Sequence, residues 1–257
     1  MKRIEALLRQ KEKSILSLFL TAGYPEKESL LEWVPVLEKE GVDFIEVGIP
    51  FSDPLADGQT IQGASTIALE NGMDLNLIFE QIKTIRETSN LPIILMGYLN
   101  PILAFGMNAF LDQCIANEID GIIIPDLPVE AYQRDYAKLF APPNLSMIFL
   151  ATPLTDQERL KEITHLSSPF VYYMSTASTT GKAKNYTVEQ IREFQRFQSN
   201  FPNQKAMLGF GIHNQRNFKT ANYYFSGGII GSAFIRKQKN KAEAIAFIRS
   251  LSSPSSV

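Results

Sequence analysis

Short apolar runs alternate along the chain with longer segments whose apolar residues recur three and four positions apart. Eight runs read as strands: ILSLFL (15–20), DFIEV (43–47), PIILM (92–96), GIIIP (121–125), SMIFLA (146–151), FVYYM (170–174), KAMLG (205–209) and FSGGII (225–230). Between them, SLLEWVPVLEKE, DLNLIFEQIKTIRE and TVEQIREFQRFQ carry helical spacing. Pro35 falls near the second turn of the first of these helices and blurs its boundary, because proline has no N–H to give. Repeating strand–helix units predict an α/β fold with a parallel sheet covered by helices. Eight units in a chain of 257 residues predict a (β/α)8 TIM barrel, with residues 1–257 as a single domain. The competing arrangement, an open doubly wound sheet, would usually carry a glycine-rich first turn, and LTAGYPEKE lacks dinucleotide spacing. Ile4, Leu7 and Leu8 lie at helical spacing, so residues 1–13 should contain a short N-terminal helix docked on the domain. The segment SSPSSV, 252–257, is expected to fray.

Composition narrows the function classes. The chain is 45% hydrophobic and 20% charged, enough for a sizeable core. A net charge of −2 argues against nucleic-acid binding and against a polybasic membrane anchor. No apolar run approaches the roughly 18 residues of a membrane helix, and the first residues lack the apolar stretch of a signal peptide. Cys114 is the single cysteine, so no disulfide can form within the chain and a cytoplasmic location is expected. Its segment, AFLDQCIANE, reads as a helix that packs the thiol into the core. The two histidines, His165 and His213, are far apart and make a histidine-based metal site unlikely on spacing, so no metal is expected. No lysine ends a strand in an apolar setting, which disfavours a Schiff-base aldolase. Ser52 and Ser175 lack a paired histidine.

In a barrel the chemistry sits at the C-terminal ends of the strands. The second strand runs into IEVGIPFSDPLADG, with Glu46, Asp53 and Asp57 and no basic residue. Eight acidic residues lie between Glu40 and Glu80, and no Lys or Arg appears until Lys83. Alternation puts Phe44 and Glu46 on one face of the strand and Ile45 and Val47 on the other. The apolar pair suits the helix side, so Glu46 should point into the barrel mouth, where an unpartnered carboxylate is costly. A loop closed by Gly58 can return Asp57 over the mouth. Spacing alone leaves two readings open: a pair of carboxylates dividing acid and base work, or a satisfied core carboxylate plus a turn former. GFGI and GGIIGSAF, after the last two strands, are glycine-rich turns where barrels often hold a phosphate on backbone N–H groups, and Ser232 can add a hydroxyl. STTGK could supply a third wall or lid. YLNPILAFGMNAF places Ile102, Leu103, Phe105 and Met107 on the rim; these either fold inward or form a patch that another protein covers.

With these motifs in view, the chain resembles the tryptophan synthase alpha subunit family. IEVGIPFSDPLADG is similar to the family signature at nearly every position, and FLTAGYP, STTG, GFGI and IIGSA follow in the family's order over essentially the whole chain. The resemblance implies a barrel that cleaves indole-3-glycerol phosphate to indole and glyceraldehyde 3-phosphate in tryptophan biosynthesis. It implies no cofactor in this chain, and a beta-subunit partner that carries pyridoxal phosphate, in an α2β2 heterotetramer. It assigns Glu46 as catalytic acid/base and Asp57 as the carboxylate facing the indole N–H. It assigns indole contacts to Phe19, Tyr98, Tyr172 and Phe210, and a phosphate cradle to Gly181, Gly211, Gly231 and Ser232. Thr180 would meet Asp57 on loop closure. Asp53 and Pro54, with Asn100, Pro101, Leu103 and Phe105, would face the partner. Gln59 stands where the family usually has proline, Ser178 where glycine is common, and Thr176 where arginine is frequent. These departures bear on loop closure and leave both carboxylates in place. The competing functions are a barrel kept mainly as an allosteric binding subunit, and a different sugar-phosphate barrel enzyme such as an isomerase or an indoleglycerol-phosphate synthase. An indole-release assay separates them.

Overall fold

The computed structural model describes residues 3–55, 57–140, 145–175 and 185–252. Nine parallel strands form one sheet: β1 (Ile15–Thr21), β2 (Phe44–Gly48), β3 (Ile93–Met96), β4 (Gly121–Ile123), β5 (Ser146–Met147), β6 (Leu150–Ala151), β7 (Val171–Met174), β8 (Ala206–Gly209) and β9 (Gly227–Ile230). Their order is β5-β4-β3-β2-β1-β9-β8-β7-β6. The two ends of this sheet, β5 and β6, are separated in sequence only by Ile148 and Phe149. The Ile148 N–H donates to Ile122 O at 3.0 Å on one side, and the Tyr172 N–H donates to Phe149 O at 3.0 Å on the other. One segment therefore bonds to both neighbours and closes the sheet into a barrel. The expected fifth strand, 146–151, is present as two short pieces, each paired with one flank. Pattern reading could not show that break, because the apolar run is continuous across it.

Strand alternation divides the core into two layers. Phe44, Ile94, Ile123, Phe170, Tyr172 and Met207 belong to a cluster inside the barrel. Their neighbours Ile45, Val47, Ile93, Leu95, Val171 and Leu208 face the surrounding helices. The N-terminal helix, Arg3–Gln10, inserts Ile4 and Leu8 into the inner cluster, so it plugs the N-terminal end of the barrel. Burying each such side chain contributes roughly 1.5–3 kcal/mol. Polar groups at that end are paired: Asp43 accepts from Lys11 Nζ at 2.6 Å and from the Leu16 N–H at 2.7 Å. Asp120 accepts from Arg86 and from the Ile93 N–H.

Pro35 lies inside the helix Ser29–Lys39, past its first turn, and the helix continues through it. Cys114 is fully buried in the helix Met107–Ala116, as expected. The rim segment departs from the loop expected of it. Leu99–Phe105 is a helix that ends at Gly106, where φ is +96°. Ile102 is fully buried, and the Phe105 ring packs against Phe79 with centroids 5.9 Å apart. Helical spacing turns these two residues into the core and leaves Leu103 outside.

Candidate active site

Glu46 sits in the middle of β2, level with Phe19 on β1 and Ile94 on β3. Its inward direction agrees with the alternation that places Phe44 in the inner cluster. The side chain is fully buried, and neither carboxylate oxygen has a hydrogen-bond partner among the described residues. Loss of hydration therefore pushes the carboxyl up to about 8. The Phe19 ring lies directly over Gly48; a Cβ there would come within 2.3 Å of it.

Asp57 is half-buried in the loop after β2. Gln62 Nε2 donates to the Asp57 backbone carbonyl at 2.7 Å and ties the loop to the helix Gln59–Glu70. The Tyr98 hydroxyl donates to Asp57 Oδ2 at 3.1 Å. Burial raises this carboxyl above its ordinary value, and the Tyr98 bond counteracts the rise. Tyr172, from β7, feels the charges of both acids. Burial raises its phenol well above the usual range, and the charges of Glu46 and Asp57 raise it further. Glycine at 209 permits this placement, since a Cβ there would lie 2.1 Å from the Tyr172 ring.

The other end of the cavity is built from backbone. Phe210 and Gly211 both take positive φ, +65° and +76°. Such a conformation is strained for phenylalanine and persists where neighbours hold it. Here Ser175 Oγ and the Tyr186 hydroxyl both donate to the Phe210 carbonyl, at 3.0 and 3.2 Å. Gly231 then leads into the single turn Ser232–Ile235, whose first N–H groups have no intrahelical acceptor.

Phe19, Asp57, Tyr172, Phe210, Gly211, Gly231 and Ser232, all expected from the sequence, line one cavity. Tyr98 lines an adjoining recess that shares Phe19 and Asp57 with it. Glu46 does not reach the cavity surface; it stands behind the Phe19 and Tyr172 wall. Thr180 and Gly181, with Thr176 and Ser178, lie outside the described residues. Gln59 is the exposed first residue of its helix. Sequence reasoning missed Ile61, Tyr186, Gln190 and His213 in the cavity wall. His213 had a signal, since it directly follows GFGI; Tyr186 and Gln190 had none.

On the expected partner face, Asp53 and Asn100 are exposed, and Pro54 and Pro101 are half-buried. Leu55 is 85% exposed and Leu103 46%. Ile102 and Phe105 do not belong to an exposed patch, for the packing reason given above. Among the described residues, no group of three or more His, Cys, Asp or Glu could hold a metal ion. No helix among them is long and apolar enough to cross a membrane.

A closed parallel barrel, two unneutralised carboxylates and a glycine-walled pocket at its mouth define a (β/α)8 barrel with an enzyme-like site at the strand C-termini. Residues 5–252 match the family model described as tryptophan synthase alpha chain, and the chain belongs to that family. It is 47% identical to the tryptophan synthase alpha chain of Flavobacterium psychrophilum over 236 residues, 92% of this chain and 93% of that one. It is 42% identical to the Bacteroides fragilis chain over 254 residues, covering 98% and 97%. The alpha chain of Legionella pneumophila superposes with a TM-score of 0.86 at 29% identity, over 98% of this chain and 96% of that one. A chain of the tryptophan synthase complex from Pyrococcus furiosus gives 0.82 at 33% identity, over 93% and 98%.

Proposed function

We propose that this chain is an indole-3-glycerol-phosphate lyase: it breaks a carbon–carbon bond to release indole and glyceraldehyde 3-phosphate in tryptophan biosynthesis. The observation that carries the reading is Glu46, a fully buried carboxyl with no hydrogen-bond partner among the described residues, raised to about 8 beside a cavity that also holds Asp57. A carboxyl titrating there is mostly protonated at neutral pH and can act first as an acid. Glu46 gives its proton to indole C3, and the ring nitrogen becomes positive. The Asp57 carboxylate, which accepts from the Tyr98 hydroxyl, stabilises that N–H. The resulting Glu46 carboxylate then takes the proton from the hydroxyl on the carbon attached to C3. The C–O bond becomes a carbonyl, the C–C bond breaks, and its electron pair returns to the ring. Glu46 ends the cycle protonated, as it began. A lysine or arginine near either acid would lock it in an ion pair and remove its basicity. The aromatic walls Phe19, Tyr172 and Phe210 suit the indole, and the turns at Gly211 and Gly231–Ser232 suit the phosphate. Thr180 and Gly181 would complete the site.

The step requires no cofactor in this chain. The name of one similar structure, from Pyrococcus furiosus, speaks of mutual activation in an α2β2 complex. We infer a corresponding beta-subunit partner here, carrying pyridoxal phosphate, in the same stoichiometry. Because Glu46 stands behind the Phe19 and Tyr172 wall, it must rise toward the substrate, and a partner that orders the mouth loops would favour that move. The buried thiol of Cys114 suits a cytoplasmic setting. The test is indole release from indole-3-glycerol phosphate, alone and with the cognate beta subunit. Slow release alone, accelerated by the partner, is expected. No release under either condition, from folded protein that forms the complex, leaves the binding-subunit reading in its place.

A further inference from the structure

His213 is the cavity-lining residue that the lyase mechanism leaves without a role. It follows the Phe210–Gly211 turn and lines the same wall as Gly211, Gly231 and Ser232. Its backbone N–H donates to Asn217 Oδ1 at 3.3 Å, which fixes its position at the start of the helix Gln215–Tyr224. Nδ1 is buried and has no hydrogen-bond partner among the described residues. A buried ring nitrogen without a partner is a group left open for something else to satisfy.

We propose that His213 is a further substrate-binding residue, which contacts the phosphate monoester held by the Gly211 and Gly231–Ser232 turns and takes up a proton as that dianion binds. The proposal rests on the phosphate end of the cavity assigned above and adds to it a charged side chain. A proton on this ring is disfavoured first by burial and then by Arg236, so its titration lies below the ordinary value of 6.5. Arg236 leaves the turn Ser232–Ile235 and donates to Thr60 Oγ1 at 3.3 Å on the facing helix. The other titratable groups on the cavity wall are Asp57, Tyr172 and Tyr186; Asp57 is the one carboxylate there among the described residues. Tyr98 holds it from the adjoining recess.

A phosphate dianion on the two glycine turns reverses the local sign. It would face the imidazole directly and offset both the lost hydration and the repulsion from Arg236. The second ionisation of a phosphate monoester falls near 6, close to imidazole, so one proton is readily shared at neutral pH. By linkage, a group whose midpoint rises on binding makes affinity fall as pH increases between the free and bound midpoints. Each unit of rise corresponds to about a tenfold gain in affinity below that window.

The chain contains only two histidines, His165 and His213, and His165 is exposed on another helix. Proton NMR of the full chain can therefore follow both imidazoles across pH, with and without saturating glycerol 3-phosphate. The His213 midpoint is expected to rise by about one unit or more while the His165 signal keeps its own. His213→Gln should bind glycerol 3-phosphate several-fold more weakly at pH 6.5, with the difference disappearing by pH 9. Glycerol 3-phosphate that shifts the Gly211 and Gly231 amides but leaves the His213 midpoint in place overturns this inference and keeps the phosphate cradle. Glycerol 3-phosphate that shifts neither amide overturns both.

Discussion

At the scale of single residues, the informative groups are those whose neighbours fail to satisfy them. Among the described residues Glu46 has no cation and no hydrogen-bond donor, and its carboxyl is raised from 4.5 to about 8. The native state then holds a proton that the unfolded chain loses above about 4.5. Stability contributed by this group is complete at low pH and falls as pH rises through that window, levelling off above about 8. Glu46→Gln removes the penalty. The variant should be more stable than the parent at pH 8.5, by an amount on the order of a few kcal/mol, and little different at pH 4. Denaturant titrations at the two pH values check this. The same variant should lose about 10²–10⁴-fold or more in indole release; near-normal turnover would remove Glu46 from the chemistry. Asp57→Asn should lower kcat more than it raises KM, because the interaction forms with the positive indole of the transition state. A large KM increase at constant kcat would mark Asp57 as a ground-state contact. Both carboxylates were legible in the sequence as an acidic stretch without a cation. Their roles came from the family resemblance and not from spacing, because spacing cannot report burial.

At the scale of elements, the turn after β8 concentrates the constraints. Gly211 takes φ of +76°, and a Cβ there would lie 2.9 Å from Tyr186 Cε1. Gly211→Val would strain the backbone by about 1–3 kcal/mol and push a methyl toward the space assigned to phosphate. Glycerol 3-phosphate affinity should fall more than tenfold, and the melting temperature should drop. Unchanged affinity would move the phosphate elsewhere. This turn was readable from GFGI because glycine marks backbone that other residues resist. Two neighbouring elements were misread for related reasons. The 146–151 run is apolar from Met147 to Ala151, so nothing marked its break at 148–149. NPILAFG reads as a rim loop from its place after the third strand, yet it is helical, and Pro101 fits because proline in the first turn of a helix costs no bond. Its helical spacing then hides Ile102 and Phe105.

At the scale of the whole molecule, the residues proposed to face the partner keep Leu55 and Leu103 exposed, with Asp53 and Asn100 exposed as well. Leu103→Glu should weaken complex formation with the cognate beta subunit and leave uncomplexed indole release nearly unchanged, as seen by complex mass and turnover during titration. An undisturbed complex would place the interface on another face. A stable interface needs about 1,200 Å² or more of total buried surface, so these two leucines must be joined by further mouth loops. The long acidic run also resolves only at this scale. Glu40 is paired at 2.7 Å with Arg249 and Asp43 at 2.6 Å with Lys11, cations brought from distant parts of the chain. Glu46 receives none among the described residues. By itself the sequence determined the barrel, the inward face of Glu46, the glycine turns and the family signature, because alternation, backbone permissiveness and motif order are properties of neighbours along the chain. Only the tertiary structure decided which carboxylates are neutralised, that Tyr172 feels the charges of both Glu46 and Asp57, and that His213 enters the cavity wall. Those outcomes depend on loss of water and on contacts between residues far apart in sequence, and neither quantity is carried by a local pattern.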